Sequence, residues 1–220
     1  CGSARFTDLP ACFATGRTIP LFLLFLAGFG MKAGLFPMHV WLPEAHPAAP
    51  SHVSAVMSGV MIKTGVYGVI RVAWEITDSA QIHTAGVIVL GAGIVTGLWG
   101  VLLAAVQNDV KRLLAYSSIE NIGVIFIGLG IALLGRAAGN PAIAAPALCG
   151  ALLHTANHSM FKSLLFFGAG NIYSKMHTTL LDRFGGVAKS MPVTAILFLV
   201  GTLAICALPP LNGFTSEFLI

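Results

Sequence analysis

Three ionisable side chains recur at four-residue intervals within one apolar stretch of the sequence, at His154, His158 and Lys162. On a helix this spacing places all three within an arc of about 80° and spreads them over about 12 Å of rise. Histidine gains and loses a proton near neutral pH, and a lysine removed from water exchanges its proton more readily than one in solution. The row therefore predicts a path along which protons pass between side chains.

Zinc binding and polar packing are the alternatives to proton transfer for this row. Two histidines four residues apart on a helix can bind zinc, but no third ligand is evident and a lysine shares their face. Polar packing stays open, because Asn157 and Ser159 offer further hydrogen-bond partners nearby. The four cysteines form no C-x-x-C pair, so the sequence predicts no metal, no cofactor and no disulfide framework.

Two lysines lie deep within other apolar stretches. Lys63 is about 17 Å from either end of Ser51–Trp74 at 1.5 Å per residue, too far for a lysine stem to reach water. Facing lipid there would cost about 2.5–3.5 kcal/mol, so Lys63 is predicted to face a partnered or hydrated protein interior. Lys32, within Ile19–Trp41, follows the same logic, and an interfacial position in a shorter span is its alternative.

Two acids complete the set of candidate proton-transfer residues. Glu120 lies about 10 Å into Leu113–Leu134, a depth that suits a channel mouth and an interfacial ion pair equally. Glu217 lies about 36 Å along a straight helix that begins at Val193. It is therefore buried in the membrane only if that helix is broken, and is otherwise an interfacial acid.

The connection between the first two apolar stretches contains four more titratable residues. They are His39, Glu44, His46 and His52. Its sequence W-L-P-E-A-H-P-A-A-P is too rich in proline for a regular helix. These side chains form either an entrance for protons or a solvated loop, and the sequence leaves both open.

The composition determines what kind of fold positions these residues. Of the 220 residues 56% are apolar and only 9% are charged, and the mean hydropathy is +0.88. A soluble domain carries about 25% charged residues, so this is predicted to be an integral membrane protein that contacts the lipid bilayer. The 12 basic residues are scattered singly without a patch, which excludes a nucleic-acid partner.

Six stretches are long enough to cross a hydrocarbon layer about 30 Å thick. They are Ile19–Trp41, Ser51–Trp74, Ile82–Val106, Leu113–Leu134, Ala147–Tyr173 and Val193–Ile220. Each is predicted to be helical, because an open strand would leave backbone groups unsatisfied in lipid. The predicted fold class is all-α, a polytopic transmembrane helix bundle in one membrane domain over residues 1–220. We expect this domain to be an internal piece of a longer protein.

Glycine and proline predict two broken helices and one close helix contact. Gly34–Pro37 interrupts the first stretch and Pro209–Gly213 the last, although a plain proline kink is the alternative at each. Broken helices at membrane depth are tolerated where they line a protein or water cavity, and in transporters they often form the ion site. Gly93-x-x-x-Gly97 permits close helix packing, or is ordinary membrane glycine.

Several motifs in combination resemble a known family. They are Lys32–His46, Ala49–Ser51, Ile62–Gly68, Asn108–Ser118, the row from His154 to Lys162, and Ala207–Phe214. Together they cover nearly the whole chain and resemble the antiporter-like membrane subunits of respiratory complex I, Mrp sodium/proton antiporters and membrane-bound hydrogenases. Ser118–Gly123, Phe161–Phe166 and Glu217 are most similar to the branch of hydrogenase-4 and formate hydrogenlyase.

The resemblance implies two inverted repeats, each with one broken helix, in which the six stretches form the second half of a longer bundle. It implies proton-transfer roles for Lys32 in the first broken helix, Lys63 in the next helix and Glu217 in the last. An acidic partner of Lys32 belongs to a part of the family's fold upstream of this chain. The fragment alone is therefore not expected to pump protons.

We accordingly predict a proton-translocating, multi-pass subunit of a redox-driven complex in the cell inner membrane or plasma membrane. The row of Lys63, His154, His158, Lys162 and Glu217 conducts protons, Glu120 lies at its margin, and Lys32 acts as a charge switch. The implied partners are other membrane subunits and a peripheral redox arm, which would hold the catalytic chemistry. A subunit of an Mrp-type sodium/proton antiporter without redox partners is one alternative, and a purely structural membrane subunit is another.

Overall fold

The structure of the chain, a computed structural model, describes residues 5–13 and 17–220, apart from the side chain of Thr7. This part of the chain is helical and contains no β-strand beyond an isolated bridge between Asp109 and Leu180. The α-helices are α1 (Leu9–Phe13), α2 (Thr18–Ala33), α3 (Trp41–Ala48), α4 (Ser51–Val56), α5 (Ile62–Trp74), α6 (Ser79–Ala105), α7 (Val110–Ala137), α8 (Pro141–Met176), α9 (Val187–Ser190), α10 (Pro192–Ile205) and α11 (Asn212–Leu219). The predicted all-α fold class is confirmed.

Each of the six predicted membrane stretches contains an α-helix, and the first and the last are interrupted by turns. Within the described residues, three segments are long and apolar enough to cross a bilayer: Ser51–Trp74, α6 and α7. The first of these comprises α4, a π-helical turn at Met57–Met61, and α5. Helices α2 and α10 are apolar but only 16 and 14 residues long, whereas α8 has 36 residues. The transmembrane helix bundle is therefore confirmed, and its division into six membrane crossings stays a prediction.

The first predicted helix break lies between α2 and α3. Helix α2 ends at Ala33, and Gly34 follows with a φ of 89°, a left-handed conformation that favours glycine. The next residues form turns until α3 begins at Trp41. The amide of Phe36 donates to the Thr96 hydroxyl of α6 at 3.1 Å, so a backbone group released from the helix finds a partner on its neighbour.

The second predicted break separates α10 from α11. Helix α10 ends at Ile205, and the chain turns through Ala207, whose φ is 50°. Pro209 and Pro210 follow, and proline lacks the amide donor that a continuing helix needs. The helix resumes at Asn212, so this stretch is two helical halves rather than one kinked helix.

Helix α7 lies at the centre of the bundle, where it packs against α3, α6 and α8. Its contact with α6 is close because glycines face each other across it. A Cβ atom on Gly123 would lie 2.4 Å from the amide nitrogen of Gly97, and one on Gly93 would lie 2.7 Å from the amide nitrogen of Ile127. The close packing predicted for Gly93-x-x-x-Gly97 is therefore present.

The cysteines differ in their bonding. Cys12 of α1 is disulfide-bonded, whereas Cys149 and Cys206 are free. A single bond leaves no repeated cysteine spacing in the sequence, so the pattern carried no signal for it.

The glycine contact between α6 and α7 gives a matched test of packing. We expect Gly123→Ala to destabilise the full-length protein by about 1–3 kcal/mol, because its methyl group would meet backbone atoms that cannot move aside. Gly97→Ala is the control, since its Cβ would lie 3.7 Å from the nearest atom, an ordinary van der Waals contact. Unfolding in mixed micelles measures both, and equal stability of the two variants would contradict the described helix contact.

Candidate functional site: a buried polar row

Helix α8 turns the three predicted relay residues into the bundle. His154, His158 and Lys162 have no solvent-exposed surface. The helix starts well ahead of them, with Asn140 capping a backbone amide of the first turn and Pro141 at the first helical position. The spacing of four residues then aligns the side chains, and the two imidazole rings stack with centroids 6.4 Å apart.

Lys63 of α5 joins this row from a neighbouring helix. Its ammonium nitrogen lies 2.5 Å from Nδ1 of His158. The same ammonium also donates to the backbone carbonyl of Ser58, in the π-helical turn that precedes α5. A π-helical turn widens the helix and often marks a functional site, and here it presents a carbonyl to the buried lysine. The predicted interior position of Lys63 is therefore observed.

Lys162 is held by the other side of the row, on α7. Its ammonium nitrogen lies 2.9 Å from the carbonyl oxygen of Leu114 and 2.5 Å from the hydroxyl of Ser117. The Ser118 hydroxyl donates to the same Leu114 carbonyl at 2.8 Å and lies 2.9 Å from the hydroxyl of Ser58. Hydrogen-bonding groups thus connect the two buried lysines across three helices.

His154 links the row to the second broken helix. Its Nε2 lies 3.0 Å from Oδ1 of Asn121 on α7, and its Nδ1 lies 3.0 Å from the hydroxyl of Ser216 on α11. Asn157, one helical turn further along α8, donates to the backbone carbonyl of Asn212 at 2.9 Å. The first turn of α11 is thereby fixed against the part of α8 that carries the histidine.

The two histidines do not hydrogen-bond to each other. Their rings are stacked, and the edge of each ring contacts Phe161, with centroid separations of 6.3 Å for His154 and 5.4 Å for His158. Among the described residues His158 Nε2 has no hydrogen-bond partner, while its Nδ1 contacts the lysine of α5. Direct side-chain contacts therefore form two groups, one around each histidine.

The two predicted acids lie at the margin of the row. Glu120 on α7 and Glu217 on α11 are half-buried, and they are close enough to interact electrostatically with each other. Glu120 also interacts electrostatically with Lys162. Neither carboxylate has a hydrogen bond to another described residue. They border the row without belonging to its hydrogen-bonded core.

Lys32 is the one candidate that the structure does not bring to this site. It lies in the last turn of α2, where its side chain is exposed, and it makes no hydrogen bond or ion pair with any described residue. An open groove with a volume of about 420 Å³ instead leads to Lys63, between α5 and α8. Polar side chains line part of this groove, at Thr64, Tyr67, Thr155 and Ser159.

The connection after the first break contains side chains in contrasting surroundings. His46 is fully buried with its ring stacked on Phe166 at 4.6 Å, so the alternative of a solvated loop is wrong for this residue. Glu44 is exposed and pairs with Arg112 of α7 through both carboxylate oxygens at 2.9 Å, and His52 is exposed as well. The proline-rich stretch also forms a short helix, α3, which corrects the expectation that it is too rich in proline.

Sequence reasoning missed the neutral groups that hold the charged ones. They are Ser58, Ser117, Ser118, Asn121 and Ser216, all of which are buried. Each has a hydrogen-bond partner on another helix, so the fold rather than the sequence spacing brings the partners together. Single polar residues inside apolar stretches were the only available signal, and that signal does not identify partners.

The buried row brings together side chains that can exchange protons. Among residues 5–13 and 17–220, no three His, Cys, Asp or Glu side chains are grouped closely enough to bind a metal ion. The two buried lysines interact electrostatically, so their protonation states are coupled. Each lysine also has a hydrogen-bond partner on a neighbouring helix, His158 for Lys63 and Ser117 for Lys162. Stepwise proton exchange needs such partners.

Comparison with known proteins places these features in context. The family model for NADH:quinone oxidoreductase/Mrp antiporter membrane proteins matches residues 2–220. The chain is 47% identical over 215 residues to hydrogenase-4 component B of Escherichia coli, with 94% of the chain and 32% of that protein covered. It is 42% identical over 200 residues to formate hydrogenlyase subunit 3 of the same organism, covering 91% and 33%. The chain spans about a third of the length of these relatives.

Solved structures agree on the fold. A chain of respiratory complex I from Thermus thermophilus superimposes with a TM-score of 0.75 at 30% identity, covering 90% of this chain and 40% of that one. A chain of the Mrp complex from Dietzia sp. superimposes with a TM-score of 0.87 at 24% identity, covering 100% of this chain and 39% of that one. This similarity shows a shared fold only.

The contact between Lys63 and His158 predicts strong coupling in a double-mutant cycle. We expect Lys63→Met and His158→Leu each to destabilise the full-length protein, and the double variant to lose less than the sum by about 0.5–3 kcal/mol. Each single change leaves a buried polar partner unsatisfied, whereas the double change removes both. Unfolding in mixed micelles measures the cycle.

A second cycle serves as the control for this prediction. It combines Lys63→Met with Ser174→Ala, whose hydroxyl donates only to the Gly170 carbonyl of its own helix at 3.0 Å. These two changes are expected to be additive. Additivity in the cycle of Lys63 and His158 as well would refute the buried contact.

Proposed function

We propose a function for this chain on the premise that it belongs to the NADH:quinone oxidoreductase/Mrp antiporter family of membrane proteins. It is part of a proton-translocating membrane subunit of a redox-driven complex, of the hydrogenase-4 or formate hydrogenlyase type or the NADH:quinone oxidoreductase type. Identity of 47% to a hydrogenase-4 component and 42% to a formate hydrogenlyase subunit favours the first type.

One observation carries the proposal: four ionisable side chains, two of them lysines, are buried together within apolar helices. They are Lys63, His154, His158 and Lys162. Burying a cation in an apolar interior is costly unless it is paired, and here the partners are neutral groups rather than carboxylates. Such lysines can release and regain a proton inside the membrane, which a structural ion pair would resist.

The proton path in this proposal uses these contacts together with a transfer between His158 and His154, whose stacked rings share no hydrogen bond. A proton on Lys63 passes to His158 through the Nζ to Nδ1 contact. Lys162 lies beside this region, because its ammonium and the Ser118 hydroxyl, which contacts the Ser58 hydroxyl, share the Leu114 carbonyl as acceptor. His154 continues the path toward α11, where Glu217 is the terminal acid. Moving one charge across the membrane is worth about 2.3 kcal/mol per 100 mV, so modest changes in proton affinity along the row suffice.

The remaining roles are proposed from the family resemblance together with position. Glu120 borders Lys162 and serves as an acidic gate at the margin of the row. Lys32, exposed on α2, is the charge switch, whose pairing with an acid upstream of this chain alters the charge felt by Lys63. Other membrane subunits and a peripheral redox arm are the partners. They supply the electron-transfer chemistry, so we propose no redox cofactor for this subunit. The subunit resides in the inner or plasma membrane.

A sodium/proton antiporter subunit is the second candidate function, because the family also includes Mrp antiporters. A subunit in which the polar row merely holds the helices together is the third. Both predict measurements that differ from those of a redox-driven proton pump.

The test uses inverted membrane vesicles that contain the whole complex, energised in turn by hydrogen, formate or NADH. Proton uptake is followed by fluorescence quenching of a pH-gradient dye, and electron transfer by the rate of donor oxidation. We expect Lys63→Met and Lys162→Met to lower proton uptake per electron about tenfold or more, since a positioned proton-transfer group is typically worth that much or more. Lys175→Met is the control, because Lys175 is an exposed lysine of α8 that only donates to the Ser190 carbonyl.

The alternatives produce other outcomes in the same vesicles. If the assembled lysine variants retain full proton uptake, the row is structural and the proposal is wrong. If uptake of ²²Na⁺ follows an imposed pH gradient and no donor drives proton uptake in the unaltered complex, the chain belongs to an antiporter without redox partners.

A further inference from the structure

His154 is the only imidazole of the row with a hydrogen-bond partner at both ring nitrogens among the described residues. Asn121 determines the state of one of them. Its amide nitrogen donates to the backbone carbonyl of Ser117 at 2.7 Å, so its Oδ1 is the atom that faces His154 Nε2 and it can only accept. Nε2 therefore carries a proton whether the ring is neutral or charged.

It follows that His154 exchanges protons at Nδ1, the atom that faces Ser216. This nitrogen is a bare acceptor in the neutral ring and a donor in the charged ring. An aliphatic side chain at position 216 would satisfy neither state, and a carboxylate, which only accepts, would favour the charged one. A hydroxyl can both donate and accept, so it is compatible with each state.

The surroundings of the Ser216 hydroxyl allow it to change roles. It is fully buried, 3.0 Å from the carbonyl of Gly213 and 3.2 Å from that of Asn212, in the first turn of α11. When His154 is neutral, the hydroxyl donates to Nδ1. When His154 is charged, Nδ1–H donates to the hydroxyl oxygen, and the hydroxyl hydrogen turns to one of the two carbonyls. Asn157 Nδ2 donates to the hydroxyl oxygen at 3.2 Å and holds it in place in both states.

We propose that Ser216 is a positioning residue for His154, whose hydroxyl hydrogen-bonds to Nδ1 in both charge states of the ring, so that Nδ1 can gain and lose a proton without being left unpaired. This inference rests on the proposed function and adds to it a residue and the ring nitrogen at which His154 gains and loses its proton. One hydrogen bond within α11 then depends on the charge of His154, because the hydroxyl donates to the α11 backbone only when His154 is charged.

The first experiment observes the nitrogen directly, by ¹⁵N solid-state NMR of the full-length protein in membranes with ¹⁵N-labelled histidine. The His154 signals are identified as those missing from a His154→Gln sample. We expect a protonated Nε2 and a hydrogen-bonded Nδ1 in the unaltered protein. Ser216→Ala removes the hydrogen-bond signature at Nδ1 and leaves Nε2 protonated, whereas Ser216→Thr, which keeps the hydroxyl, restores it.

The second experiment measures proton uptake per electron in the vesicle assay. Ser216→Ala is expected to lower it about tenfold, the loss expected when a buried charged donor loses its acceptor. Assembly should remain close to that of the unaltered complex, because Asn157 keeps its bond to Asn212. Ser174→Ala is the matched control, since it removes a serine hydroxyl of α8 that lies outside the row.

The outcomes separate this inference from the proposed function. An unchanged Nδ1 signal in Ser216→Ala overturns the inference. So does normal proton uptake by that variant in a complex where Lys63→Met abolishes uptake, and the proposed function then stands. If Lys63→Met also leaves uptake unchanged, the proposed function fails and the inference fails with it.

Discussion

Lys162 loses all contact with solvent, and its ammonium group is stabilised by the Leu114 carbonyl and the Ser117 hydroxyl of the adjacent helix. Bonds to neutral groups satisfy the ammonium without fixing its proton, as a buried carboxylate would. The rest of the fold is arranged to supply such bonds. Helix α7 provides them to both ends of the row, which is why its central position matters for the chemistry as well as for packing.

Two departures from regular helix geometry bring the necessary polar groups to membrane depth. The π-helical turn Met57–Met61 presents the Ser58 carbonyl to Lys63, and the break before α11 places the first turn of that helix beside His154. A regular α-helix would satisfy the Ser58 carbonyl internally, whereas the π-helical turn presents it to Lys63. The close glycine contact of α6 with α7 occupies the opposite face of α7, so that its polar face is free to contact α8.

The sequence predicted the parts of this structure that depend on spacing and composition. Apolar stretches of sufficient length, proline pairs and the four-residue row on α8 each leave a local pattern, and the helices, both breaks and the burial of Lys63 follow it. Partnerships leave no such pattern. That Ser118 bridges to Ser58, or that Asn121 faces His154, depends on the relative rotation of helices up to 60 residues apart. The same limit applies to His46, which a proline-rich loop would expose and the packing of α3 against α7 and Phe166 buries.

The direct contacts form two separate groups, and this separation limits the passive movement of protons along the row. If Lys63, His158 and His154 formed one uninterrupted chain of hydrogen bonds, protons would move along it whenever a gradient existed. Instead the stacked imidazoles, with Phe161 against their edges, do not bond to each other. Transfer between the two groups therefore requires a rearrangement, and the helix after the second break is well placed for it, because the Asn212 carbonyl and the Ser216 hydroxyl already contact α8. In the proposed function, coupling to a distant redox reaction then needs only a change in the charge or position of this helix, rather than motion of the whole bundle.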